Sequence, residues 1–235
     1  MSEFLRKQMN LLIKDYPIDS IVPMQELPLT GTAFFPGGDG LYKEMQSSIT
    51  RIPKILVLGQ DYDNEINFGK VKNRPDQSEL GNKNTTWVNL LKLFGEERVG
   101  ECFFSNVIMG LRKGDSKNTG PSKAFAKSNS MFFEQNIAFF FEQLKHLKPK
   151  GIVCLGIQVP VFLGACFPEQ FTKLKTVRSF SELDTLYPEG GANLLFEGKT
   201  IPLIFLTHPA LFYANAARRK GVEWELNLLS TLVQG

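Results

Sequence analysis

Short apolar runs separated by helical patterns make up most of the chain. Three of these runs stop abruptly at a glycine or a polar residue, as buried parallel strands do, and they lie at 54–59, 101–106 and 151–156. Apolar residues between 192 and 209 predict two more strands, joined at Glu197-Gly198-Lys199. The pattern therefore predicts a sheet with strands spread along the chain.

Helices are predicted in the intervals between the strands. Apolar spacing, capping residues and terminating glycines or prolines indicate helices at 2–15, 85–95, 129–147, 158–166 and 221–233, with another near 179–186. Strands that alternate with helices form a mainly parallel sheet covered on both faces. We therefore predict one α/β domain over residues 1–235, with three layers in the order helix, sheet, helix. Residues 1–30 are its N-terminal helix and irregular lead-in.

Polar residues follow the predicted strands at the point where each strand ends. Gln60 and Asp61 follow the first, Asn106 closes the second, and His208 follows the last. In parallel sheets, ligands bind beyond the carboxyl ends of the strands. The sequence therefore predicts a cleft at this edge of the sheet, with an acid, two amides and an imidazole at its mouth.

Composition narrows the chemistry of that cleft. The 235 residues are 43% hydrophobic and 22% charged, with a net charge of +3, which permits a nucleic-acid partner without requiring one. The three cysteines form no CxxC pair, so we expect no metal centre and no iron–sulfur cluster, and buried thiols suit a reducing cytoplasm. Polar residues interrupt the N-terminal apolar pattern, and we expect neither a secretory signal nor a membrane span.

No phosphate-binding loop, dinucleotide fingerprint or nucleophile elbow is present, so no cofactor is expected. An acid, an amide and an imidazole suit hydrolysis of an N-glycosidic bond. A carboxylate can orient water and offset the positive charge of an oxocarbenium-like transition state. The imidazole can stabilise the negative charge that builds on the leaving base.

Three motifs in this order resemble the uracil-DNA glycosylase superfamily. They are "LGQD" at Leu58–Asp61, "FFSN" ending at Asn106, and "THPALF" at Thr207–Phe212, with "GIVCLG" similar to the superfamily's third strand. The likeness covers about residues 31–230 and is strongest to a branch with "GQDYDN" and "MGLRKG". It implies a uracil-DNA-glycosylase-like fold and a DNA-repair hydrolase that acts on a flipped base as a monomer.

The resemblance also implies roles for the residues at the strand ends. Asp61 would orient the attacking water, and His208 would stabilise the leaving anion. Gly59 and Gln60 would line the base pocket, and Asn106 would read the edge of the base. These five residues form the expected active site.

A second set would face the DNA. It comprises an aromatic residue that stacks on the base, an apolar wedge that replaces the extruded base, and a basic run near the phosphates. The candidates are Phe68, then Leu211 or Phe212, and finally Arg218, Arg219 and Lys220. Core packing is the alternative for the three apolar residues, and a solvated face is the alternative for the basic run.

The chain departs from the superfamily pattern at two places. Tyr62-Asp63-Asn64 stands where Pro-Tyr-His is usual, and Ala210 replaces a serine. Asp63 adds a second carboxylate beside Asp61, so one of the pair has a raised pKa or Asp63 is itself the base. We expect a hydrolase for uracil or another damaged base. The alternatives are a non-catalytic binder of DNA or abasic sites and a hydrolase of free nucleosides or nucleotides.

Overall fold

A five-stranded sheet lies at the centre of the protein. The structure, a computed structural model, describes residues 2–24, 54–66, 85–95, 98, 101–114 and 129–233. The sheet has the order β3-β2-β5-β7-β6, and only the edge strand β6 is antiparallel to its neighbour. Its strands are β2 (Ile55–Gly59), β3 (Cys102–Asn106), β5 (Gly151–Leu155), β6 (Gly191–Phe196) and β7 (Lys199–Leu206). The predicted α/β class with a mainly parallel sheet is confirmed.

The described helices agree with the predicted ones except at two places. They are α1 (Ser2–Leu12), α2 (Thr85–Phe94), α3 (Ser130–Leu147), α4 (Gln158–Cys166), α5 (Phe180–Leu186), α6 (Phe212–Arg219) and α7 (Val222–Val233). Short 3-10 turns span Thr172–Thr176 and Pro209–Leu211. Helix α1 ends three residues earlier than predicted. Helix α6, with the sequence "FYANAARR", was not predicted.

Two additional short strands pair beside the main sheet. They are β1 (Ile21–Val22) and β4 (Leu111–Arg112), which run antiparallel. The sequence did not predict this pair, because two residues are too few for a period-2 pattern. Its importance is that it fixes the chain just after β3, close to the carboxyl ends of the central strands.

Alternate side chains of each central strand face opposite hydrophobic layers. Leu56 and Leu58 of β2 pack in a cluster with α1, α3, α4 and α5, whereas Ile55 and Val57 pack with α2, α6 and α7. This alternation is the period-2 geometry of a strand that is buried on both faces. The helices therefore cover both faces, and the carboxyl ends of the strands are left for a site.

The strand order reverses direction beside β2. Strand β3 lies on one side of β2, and β5, which follows β3 along the chain, lies on the other side. A reversal of this kind opens a crevice outside the carboxyl ends of the two strands, where α/β proteins bind their ligands. Gly59 and Leu155 close the two strands at that crevice.

Three charged side chains connect helices α5, α6 and α7 to β7. The guanidinium of Arg219 donates to both oxygens of Asp184, to Glu225 Oε1 at 3.2 Å and to the Phe205 carbonyl at 2.6 Å. Its carbon Cζ also lies 4.6 Å from the ring centroid of Trp224. Only 2% of the Arg219 side chain is exposed, so this cluster is part of the interior.

We expect Arg219→Ala to lower the free energy of unfolding by about 3 kcal/mol. The substitution leaves Asp184 and Glu225 in the interior without their cation, and breaking a buried pair from one side is strongly destabilising. Urea denaturation measures the loss. Arg178 is an exposed control on which the same change should cost less than about 0.5 kcal/mol. Equal effects at the two positions would contradict the buried cluster.

Candidate functional site

The loops after β2 and β3 remain paired beyond the sheet. Val107 N–H donates to the Gly59 carbonyl at 2.9 Å, and Arg112 N–H donates to the Asp63 carbonyl at 3.0 Å. An isolated bridge between Asn64 and Arg112 extends the same pairing. The segment that carries the two acids is therefore held by backbone hydrogen bonds along its length.

Asp61 lies inside this paired segment and its carboxylate is engaged on both oxygens. Arg112 Nη2 donates to Oδ1 at 3.1 Å, and Arg112 Nε lies 2.9 Å from Oδ2 as an ionic contact. Asp63 N–H donates to Oδ1 at 2.9 Å, and the Gln60 amide donates to Oδ2 at 3.2 Å. The side chain is only 8% exposed, so the carboxylate faces protein donors on both oxygens.

The charge balance at Asp61 follows from this burial. Burial raises the pKa of the Asp61 carboxyl above its ordinary value, and the Arg112 guanidinium and the Asp63 N–H oppose the rise. Sequence reasoning missed Arg112 as the partner. The only signal was the "MGLRKG" stretch, and the ion pair forms between residues 51 positions apart.

Asp63, in contrast to the largely buried Asp61, lies at the surface. Its side chain is 52% exposed, and its backbone has a φ of 73°, in the left-handed region. One oxygen, Oδ1, accepts hydrogen bonds of 2.8 Å from both the backbone and the side-chain amide of Asn64. Aspartate and asparagine tolerate this conformation better than most residues, because their short polar side chains bond locally. The turn therefore directs a carboxylate to the mouth of the crevice.

His208 reaches the same region from the end of β7. Ala210 N–H donates to His208 Nδ1 at 3.2 Å, so the neutral ring carries its proton on Nε2. Gly156, at the end of β5, lies beside the ring, and a Cβ there would be 3.6 Å from His208 Cβ and Cδ2. Although the residue is solvent-accessible, desolvation by the surrounding chain lowers the pKa of the imidazole, and the negative charge of Asp63 opposes the shift.

Asn106 and Gly59 lie opposite each other in the register of β3 and β2. Asn106 is 2% exposed, and its neighbour Ser105 is fully buried. Gln60 follows Gly59 directly and is half-buried. The structure therefore brings Gln60, Asp61 and Asp63 to one end of the sheet beside Asn106, and His208 follows β7 at the same end.

The expected DNA-facing set is placed only in part. Phe68 lies outside the described residues, as do the side chains of Leu211, Phe212 and Arg218. The backbone of Leu211 and Phe212 passes from the 3-10 turn into α6, within four residues of His208.

Two residues of the basic run, Arg219 and Lys220, lie in different environments. The expectation that Arg219 contacts phosphates is corrected, because its guanidinium is buried among Asp184, Glu225 and the Phe205 carbonyl. Lys220 is exposed, and its ammonium donates to the Pro188 carbonyl at 2.6 Å. Successive side chains of a helix point in different directions, so basic residues that are adjacent in the sequence can lie in different environments.

The described part of the chain has no group of three or more His, Cys, Asp or Glu side chains arranged to hold a metal. Among the described helices, none combines the length and the apolar content that crossing a bilayer requires. No family model matches the sequence, and no relative is found among the curated proteins.

We expect Asp61→Asn to lower the free energy of unfolding by about 2 kcal/mol, because it removes the closer of the two carboxylates that face the largely buried Arg112. Asp63→Asn is the matched change two residues away. It should alter stability by less than about 0.5 kcal/mol, since the side chain is exposed and asparagine accepts a positive φ. Chemical denaturation of both variants measures the difference, and a larger loss at position 63 would contradict the ion-pair assignment.

We expect His208 to titrate below the ordinary histidine value of 6.5. Desolvation disfavours the imidazolium, so the folded state loses stability as the pH falls below about 6.5. Asp63→Asn should lower the pKa of His208 further, because it removes the negative charge that favours the imidazolium. NMR titration resolves the two histidines of the chain, with His146→Gln assigning the signals. A pKa of His208 that is unchanged in Asp63→Asn would show that the two groups do not face each other.

Proposed function

We propose that the protein is a DNA glycosylase-like hydrolase with a uracil-DNA-glycosylase-like fold, which cleaves the N-glycosidic bond of uracil or another damaged base. The observation that carries the proposal is the convergence of the parallel strands at one sheet edge, where β2 leads into Asp61 and Asp63 and β7 leads into His208. Asn106 lies at the end of β3, next to β2. An acid, an imidazole and an amide at one sheet edge match the three roles that this reaction needs.

Of the two acids, Asp63 is assigned to the attacking water. Its carboxylate is half exposed, whereas that of Asp61 accepts from Arg112, Gln60 and the backbone. A carboxylate beside the sugar orients water and offsets the positive charge of the transition state. Asp61 then has the separate role of anchoring the loop.

His208 acts on the leaving base. Because Nδ1 accepts from Ala210, the neutral ring presents Nε2–H as a donor. A donor aimed at the base oxygen is worth most when negative charge develops there, in the transition state. The lowered pKa keeps the ring neutral at physiological pH, and the proton stays in place for this hydrogen bond.

Charge supports a nucleic-acid substrate. Residues 113–128, which follow β4 along the chain, contain four basic residues and one acidic residue. Basic residues near a site attract the phosphate backbone and release its counterions. Flipping the base out of a duplex costs a few kcal/mol, which stacking and hydrogen bonds in the pocket offset.

A non-catalytic binder of DNA or abasic sites is the second candidate. The Asp61–Arg112 ion pair favours it, since Asp61 is the position that the resemblance assigns to the water-orienting acid. A protein that kept the pocket and lost that acid would still bind an extruded base. The two candidates differ in whether base is released.

We expect Asp63→Asn to slow single-turnover release of uracil from an oligonucleotide by at least about a hundredfold. Binding to the same oligonucleotide should be unchanged or tighter, because a negative charge near the phosphates is removed. Glu65→Gln is the matched control, since it removes an exposed charge from the same loop and keeps an acceptor for Gly114 N–H.

Other outcomes of this assay separate the alternatives. Full activity of Asp63→Asn together with inactive, folded Asp61→Asn would make Asp61 the base. Salt-dependent DNA binding with no release from any damaged-base oligonucleotide would establish the non-catalytic binder. Release from free nucleosides alone would establish a small-molecule hydrolase.

We expect Asn106→Asp to lose uracil release by at least about tenfold, equivalent to ~1.4 kcal/mol in the barrier. Uracil presents an acceptor at O4 and a donor at N3, and the amide complements both. An ionised carboxylate is acceptor-only, so residual activity should shift towards cytosine. The ratio of uracil to cytosine release is the readout, because it does not depend on how much of the variant is folded. An unchanged ratio would show that Asn106 does not read the base.

A further inference from the structure

Two buried side chains from different helices hold the segment that carries His208. Glu225 of α7 accepts two hydrogen bonds on Oε2, from Thr207 N–H at 3.0 Å and from the Thr207 hydroxyl at 2.9 Å. Asn89 of α2 donates through Nδ2 to the Pro209 carbonyl at 2.6 Å. The residues before and after the imidazole are therefore each fixed by a buried polar group.

Glu225 is an unusual residue for its position. It is fully buried, and it follows Trp224 on a helix whose inner face is otherwise apolar. Its second oxygen lies 3.2 Å from Arg219 Nη1, which supplies the counterion. Replacing such an ion pair with apolar residues is often neutral or stabilising, so stability alone gives a weak reason for a carboxylate here. Besides balancing the charge of Arg219, this carboxylate accepts hydrogen bonds from both the backbone N–H and the hydroxyl of Thr207.

Asn89 has the same character on the other helix. It is 5% exposed, and its amide is directed at a carbonyl just beyond His208. A leucine of similar volume would pack in α2, whose neighbours Leu90 and Leu93 are core residues. Both polar side chains therefore bind the short backbone stretch between β7 and α6.

We propose that Glu225 and Asn89 are positioning residues that fix the protonation pattern of His208, an inference that rests on the proposed function of the site. Holding Thr207 and Pro209 sets the turn in which Ala210 N–H meets Nδ1. That hydrogen bond selects the tautomer with the proton on Nε2. A shift of the backbone that loses the bond allows the other tautomer, which presents a lone pair to the leaving base where a donor is required.

The direct test is the imidazole tautomer of the free protein, read from long-range ¹H–¹⁵N NMR spectra at pH 8. In the parent, His208 should be protonated on Nε2 alone. In Glu225→Gln, a neutral amide replaces the carboxylate that faces Arg219. We expect a mixture of both tautomers in this variant. Glu223→Gln, the same change at an exposed position of the same helix, should leave the tautomer unchanged. His146 provides a second signal in every spectrum.

Asn89→Ser and Thr207→Ser complete the design. Asn89→Ser shortens the donor at the opposite end of the segment and should also give mixed tautomers, so the test stands even if Glu225→Gln does not fold. Thr207→Ser keeps both donors to Glu225 and should behave like the parent. Pure Nε2–H tautomer in both folded variants, Glu225→Gln and Asn89→Ser, would overturn the proposal.

Kinetics give an independent readout. In an active enzyme, Glu225→Gln and Asn89→Ser should lower kcat by roughly tenfold to a hundredfold and change KM by less than about twofold, because the donor acts in the transition state. A raised KM with unchanged kcat would contradict the positioning role. If no substrate is cleaved, the proposed function fails, and the tautomer measurement still decides whether Glu225 and Asn89 position the ring.

Discussion

The ion pair between Asp61 and Arg112 is the interaction on which the arrangement of the site depends. A carboxylate that is 8% exposed requires a cation, and Arg112 can supply it only if the chain after β3 continues parallel to the chain after β2. The backbone hydrogen bonds between these segments, from Val107 to Arg112, follow from that requirement. With Asp61 held inside, the next acid, Asp63, turns through a positive φ and reaches the surface.

The opposite side of the crevice depends on buried polar groups of a different origin. Arg219 neutralises Glu225 and Asp184, and Glu225 in turn holds Thr207 at the end of β7. Helices α2 and α7 therefore determine where the chain leaves the sheet at His208, as well as covering one face. Two polar clusters, one on each side of the crevice, therefore hold the carboxylate of Asp63 and the imidazole of His208, although both residues lie in loops.

Much of the fold was predictable because it depends on local patterns. The apolar runs at β2, β3 and β5 stop at Gly59, Asn106 and Gly156, and the structure has strand ends at or within one residue of these positions. Helix α4 begins and ends at the residues predicted from sequence. Burial on both faces makes such runs continuous, and glycines or capping residues mark their ends, so a single sequence suffices to locate them.

The site was predictable only at the strand ends. Gln60, Asp61, Asn106 and His208 were expected at one sheet edge, and the topology brings those ends to the same side. Arg112 was not expected as the partner of Asp61, because an ion pair between residues 51 positions apart leaves no periodic trace. The contact of Glu225 with Thr207, 18 positions away in another element, was not expected either. For the same reason Arg219 was taken for a surface charge, although its ion pair reaches Asp184, 35 positions back.

The most direct measurement is a crystal structure with an oligonucleotide that carries 2′-fluoro-2′-deoxyuridine, whose electron-withdrawing fluorine slows formation of the oxocarbenium ion. The base should be extruded into the crevice between β2 and β5, with its O4–N3 edge at Asn106. His208 Nε2 should lie within hydrogen-bond distance of uracil O2, and a water bound to Asp63 should face C1′. A duplex with the base still stacked, or an extruded base whose C1′ is distant from both Asp63 and His208, would contradict the assignment of this crevice as the active site.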